Sequence, residues 1–169
     1  MLSSFLKELS QPEYVHVLIN PLPVYGLATG ILGLIIALIQ RSRHAQVAAL
    51  ALILLSAAIA WPVVHFGEEG YDRVLSMSDD QGQAWLKVHE HRANELVWFF
   101  YALAAVTATA IFAPAKWPKS AMALTLVTLL FSFAVLALGG YIASAGGKIR
   151  HREFRNEPAP PVPADDNDH

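Results

Sequence analysis

Four stretches of the chain, 17–40, 45–67, 96–115 and 120–147, contain no Asp, Glu, Lys or Arg. A bilayer core requires about 20 mostly apolar residues per helical span, and each stretch is long enough. A helix on a water-facing domain needs a charged face, which none of these segments has. Composition agrees: 54% of residues are hydrophobic, 15% are charged, and mean hydropathy is +0.39. The sequence therefore predicts one all-α domain, an integral membrane four-helix bundle over 20–147. Its spans are expected near 22–40, 47–66, 96–112 and 121–142.

The ends read differently. Residues 1–19 place Leu2, Phe5, Leu6 and Leu9 at helical spacing, which predicts a short amphipathic helix lying on the membrane surface. They lack the basic start and small-residue cleavage site of a signal peptide. Residues 148–155 form a basic juxtamembrane segment. Residues 156–169 are rich in Pro and Asp, the composition of a disordered tail. Within the spans, Gly26 and Gly30 form a small-x-x-x-small pair that permits close helix approach. Pro62 predicts a kink that tilts Trp61 and His65.

Sidedness follows from the loops. Arg41, Arg43, Lys116 and Lys119 lie in the two short turns, and the positive-inside rule places those turns in the cytoplasm of a bacterial inner membrane. Both termini then face the periplasm. Lys148, Arg150, Arg152 and Arg155 argue the opposite way.

An even number of spans has a consequence for chemistry. His16, His65, His89, His91 and His151 all fall on one membrane face, together with Glu68, Glu69, Glu90, Glu95 and Glu153. His91 and Glu95 stand one helical turn apart. Imidazoles and carboxylates at that spacing are ligands for zinc, iron or copper in helix bundles. The expected divalent transition-metal set is His65, Glu68, His89 and His151, with His16, Glu90, His91 and Glu95 as secondary candidates. A b-type haem needs two histidines on facing helices. His65 with His151, or His65 with His89, would supply them, with room at Gly139 and Gly140 and a lining from Trp61, Phe66, Trp85 and Trp98. Solvated boundary histidines and a lipid-interface aromatic belt account for the same residues without a cofactor.

Other chemistries are excluded or weak. The chain has no cysteine, so disulfides, thiolate metal sites, iron–sulfur clusters and thioether-linked haem are excluded. A net charge of -2 gives no reason to expect nucleic acid. No nucleophile elbow, phosphate loop or dinucleotide fingerprint occurs, and no catalytic residue set is identified. No charged residue lies deep within a span, as many ion-coupled transporters require.

The motifs "NPLPVYGLATGILGLIIAL", "HFGEEGYDRV", "HEHRANE" and "GGKIRHREF" resemble those of an uncharacterised family of bacterial four-helix membrane proteins. That resemblance covers most of 20–154. It implies importance for Gly67, Glu68, His89, Glu90, Gly146, Gly147, Arg150 and His151, and association with respiratory or haem proteins. Asn20 and Tyr25 stand where that family's opening motif has histidines. Two functions are expected. One is a rim-located metal or haem site working in electron transfer or metal handling, with a redox protein as partner beside membrane lipid. The other is a non-catalytic subunit or assembly factor of a respiratory membrane complex. There the rim groups are salt bridges, Arg150 beside Glu90 among them, and "KIRHREFR" docks a partner or anionic headgroups.

Overall fold

A computed structural model describes residues 6–162. Its helices are α1 (Pro12–Ile19), α2 (Pro21–Ile39), α3 (Arg43–Ala58), α4 (Ala60–Glu69), α5 (Tyr71–Ser76), α6 (Asp80–Phe112) and α7 (Ala121–Arg150), with no strand among the described residues. Four helical stretches are long and apolar enough to cross a membrane: Pro12–Ile39, Arg43–Glu69, Asp80–Ala115 and Pro118–Arg150. The protein is an all-α, multi-pass membrane protein.

Three of the stretches, the first, third and fourth, extend well beyond the expected spans at the end of the bundle that carries the histidines. Asn20 keeps right-handed helical angles between α1 and α2, so the helical stretch that forms the first span starts at Pro12 rather than near residue 22. Pro12 and Pro21 each open a helix, where the missing N–H costs nothing. Half of the segment assigned to the membrane surface thus extends the first span. Leu2 and Phe5 lie outside the described residues, and Leu6 is exposed. Asp79 caps α6 by accepting from Gly82 N at 2.7 Å, and no breaker interrupts the next 33 residues. At 1.5 Å per residue α6 is about 50 Å long against a core of about 30 Å, so it projects well beyond the lipid.

The bundle closes as a ring. α2 packs on α3, α3 on α6, α6 on α7, and α7 on α2. Leu27, Leu34, Leu50, Ile53, Leu103 and Val135 are fully buried at its centre. Thr107, Thr128 and Ser132 are buried too, and each hydroxyl donates to the carbonyl four residues earlier, which satisfies it without a partner helix. The outer surface is apolar: Leu32, Ile39, Leu55 and Leu130 are exposed, as lipid contact requires. Gly26 and Gly30 hold the close approach of α2 to α3. A Cβ at Gly26 would collide with the Ser56 hydroxyl, and one at Gly30 would sit 2.6 Å from Ile53 Cγ1. The helix breaks at Ile59, three residues before Pro62.

At the end of the bundle that carries the start of α6 a second cluster forms on Trp85, Leu86, Val88, Ala145 and Ile149. Residues 156–162, expected to be disordered, run back against it, with Ala159 and Val162 packed on that cluster; residues 163–169 lie outside the described residues. The anchor is Arg155. Its side chain is only 9% exposed and donates to both Asp79 carboxylate oxygens at 2.8 and 2.9 Å and to the carbonyls of Lys148 and Ile149. One buried arginine, rather than apolar content, holds the segment.

Gly30→Val is expected to force α2 from α3 and to cost about 1–3 kcal/mol as overpacking; an unchanged thermal midpoint in detergent would contradict the packing. Arg155, then the Gly82 N–H, hold the Asp79 carboxyl below the usual carboxylate range. A lowered folded value means this stabilisation is present above about pH 3.9 and lost as pH falls through that lower value. Asp79→Asn should release 156–162 at neutral pH, read as faster tryptic cleavage at Arg155 in the otherwise folded protein.

Candidate functional site

A cavity of about 520 Å³ opens at the end of the bundle where α1, α4, α5, α6 and α7 meet, within the 300–1,000 Å³ range of cofactor and ligand sites. Its floor is apolar: Pro23, Val24, Val97, Phe100, Gly139 and Ile142. A Cβ on Gly139 would stand 3.2 Å from both Val24 Cγ2 and Phe100 Cζ, so this glycine sets the floor's depth. Charged residues gather at the mouth: Glu13, Glu68, Arg73, Glu90 and Arg150.

Two imidazoles meet in this space in a T-shaped, edge-on arrangement. His16 comes from α1 and His89 from α6, and both line the cavity. Their ring centroids are 6.2 Å apart and their planes are 82° to one another. His16 Nδ1 lies 2.8 Å from the Val63 carbonyl on α4, and His89 Nδ1 lies 3.1 Å from the Ile142 carbonyl on α7. A carbonyl only accepts, so in both rings Nδ1 carries the proton and donates it. In each neutral ring the remaining nitrogen, Nε2, then presents a lone pair.

The same local device builds both halves. A helical side chain leans toward the N-terminus, so the residue at i+4 covers the turn that carries carbonyl i. Four residues after Val63 stands Gly67, and four after Ile142 stands Gly146. A Cβ at Gly67 would be 2.9 Å from His16 Nδ1, and one at Gly146 would be 3.2 Å from His89 Nδ1. Each glycine leaves its carbonyl open to an imidazole from the adjacent helix. Gly70 does similar work for the backbone: its Cβ would meet Glu13 N and Cα at 2.9 Å, which lets α1 lie close over the α4–α5 junction.

The other expected residues divide. Glu68 and Glu90 line the cavity, and Glu90 accepts a hydrogen bond from Tyr71. His65 stacks on Trp61 with centroids 5.5 Å apart and reaches Glu69 at 3.6 Å, about half exposed. His151 stacks on Phe154 and pairs with Glu153 at 2.9 Å, also exposed. Neither ring is among the cavity's lining residues. His91 pairs with Glu95 at 3.5 Å along one helix face. Arg150 donates to the Met77 carbonyl. Of the expected slot residues, Gly139 and Phe66 line the cavity. Trp61 and Trp98 point outward, and Trp85 is buried in the second cluster beneath the Lys148 ammonium. Among the described residues no three His, Asp or Glu side chains converge as a ligand set.

Comparison of the chain with protein-family models, curated proteins and solved structures returns no match. The resemblance noted from the sequence rests on its short motifs alone.

Tyr71 reports on the polar wall. Burial, then the Glu90 charge and its hydrogen bond, then Asp72, push the phenol up to about 12 from an ordinary value of about 10. Because the folded value is raised, the stabilisation is complete below about pH 10 and is lost as pH rises through about 12. An alkaline titration followed by tyrosinate absorbance should show a step near pH 12 that Tyr71→Phe removes and Glu90→Gln moves down. A titration unchanged by both substitutions would contradict the contact.

Proposed function

We propose that the protein is a haem-binding protein of the bacterial inner membrane, holding one b-type haem between His16 and His89 for electron transfer at its outer rim. The observation that carries this reading is the pair of backbone-anchored imidazoles. A metal–nitrogen bond of about 2.0–2.1 Å plus about 1.1 Å from nitrogen to ring centre places two rings on opposite sides of one ion about 6.2–6.4 Å apart. The separation found is 6.2 Å. The second support is the hydrogen bond on each Nδ1, since an anchored N–H fixes the tautomer and leaves the other nitrogen free to act as a ligand. Two protein ligands suffice for haem, because the macrocycle supplies the four equatorial donors. The apolar floor excludes water from one side of such a site, a lever that sets redox potential.

In this reading His16 takes the role that the sequence assigned to His65 or His151. Both of those are exposed, and both are engaged with carboxylates of their own neighbourhood. The placement of both termini in the periplasm gains support from the tail: Arg150, Arg152 and Arg155 hold Met77, Asp79 and backbone carbonyls, so their number reflects docking of the segment rather than a cytoplasmic signal. The rim ion pairs Arg73–Glu13 and Arg155–Asp79 favour a second reading, a non-catalytic subunit or assembly factor, which a haem-free protein that co-purifies with stable partners would support.

The purified protein, reconstituted with haem if needed, should show a Soret band and a low-spin bis-imidazole spectrum. His16→Ala and His89→Ala should each lower haem affinity at least about tenfold and abolish that spectrum. His65→Ala and His151→Ala should leave it intact. A protein that takes up no haem, or one whose spectrum survives His89→Ala, would overturn the proposal.

A further inference from the structure

Two arginines stand at the mouth of the cavity, and neither belongs to the imidazole pair. Arg73 comes from α5 and Arg150 from the last residue of α7. Arg73 commits its Nε to Glu13 Oε1 at 2.9 Å, and Arg150 commits one Nη to the Met77 carbonyl at 3.2 Å. A guanidinium carries five N–H donors in a fixed fork, so each retains donors after these bonds. The two anchors aim the guanidiniums from separate elements. The carboxylates at the mouth include Glu13, already bonded to Arg73, and Glu90, which accepts from Tyr71; Glu68 completes that charged rim. Opposite the mouth, the floor of Pro23, Val24, Val97, Phe100 and Gly139 offers no charged group.

This polarity selects among ligands and among their orientations. Iron protoporphyrin has an apolar body and two carboxylates on one edge. A carboxylate turned onto the floor would lose its hydration with no cation to replace it, which is prohibitive. The same carboxylate at the mouth meets arginine, the side chain whose fork matches its geometry. Resting on the haem reading above, we infer that Arg73 and Arg150 are specificity-determining residues that receive the two propionates, fix the porphyrin edge-outward, and make the site selective for a dicarboxylate macrocycle.

The test compares iron protoporphyrin with its dimethyl ester, which keeps the macrocycle and iron and removes both charges. Full-length apoprotein in detergent is titrated with each, and binding is read from the Soret band. The wild type should prefer the diacid by about tenfold or more, the scale of one charge-assisted hydrogen bond. Arg73→Gln/Arg150→Gln should bring the two affinities together while keeping the bis-imidazole spectrum. Arg150→Gln alone, which leaves the Arg73–Glu13 pair intact, should give part of that loss. The wild-type comparison needs no variant to fold. Equal affinity for diacid and ester, tighter binding of the ester, or a preference that survives the double substitution overturns this inference while the axial histidines stand. Binding of neither porphyrin overturns the haem reading and this inference with it.

Discussion

The hydrogen bond from an imidazole Nδ1 to a carbonyl inside a neighbouring helix is the interaction on which the rest depends. Such carbonyls are ordinarily covered by the side chain one turn later. Gly67 and Gly146 uncover them, and His16 and His89 then bridge α1 to α4 and α6 to α7. Each bridge ties one helix of the rim to the next. Together they fix two rings at 6.2 Å rather than leaving them to solvent, where boundary histidines commonly remain.

The length of the helices makes that arrangement possible. α6 is longer than a lipid core is thick, and the first spanning stretch begins at Pro12, so each carries a histidine toward the end of the bundle while its remainder packs inside. The projecting parts need their own support. They find it in the cluster on Trp85 and Ile149 and in the returning segment held by Arg155. Asp79 serves both ends of that support, since one carboxylate caps α6 and binds Arg155.

Much of the fold is legible in the order of residues. Charge-free segments reveal the four helices because the hydrocarbon of a bilayer tolerates few charges. Even span number places the histidines on one face, and spacing predicts the His91–Glu95 pair. What spacing does not reveal is the partner of His89. His65 sits nearer the apolar run and within a span, yet its ring turns outward onto Trp61. His16, in a segment read as interfacial, turns inward. Helix phase decides this, and Asn20 sets the phase of the first helix by continuing it. The signal that points to His16 is the glycine four residues after an uncovered carbonyl, repeated at Gly67 and Gly146. It is readable only once the facing helices are known.

The sequence by itself determined a membrane-spanning all-α bundle, its polar rim, and the absence of thiol chemistry. These follow from composition and period, which act locally along the chain. The tertiary structure alone decided which imidazoles meet, which glycines open carbonyls to them, and that 156–162 returns to the bundle. Those outcomes depend on the relative rotation of whole helices and on one buried arginine, and contacts across 47 or 53 residues of chain leave no periodic trace.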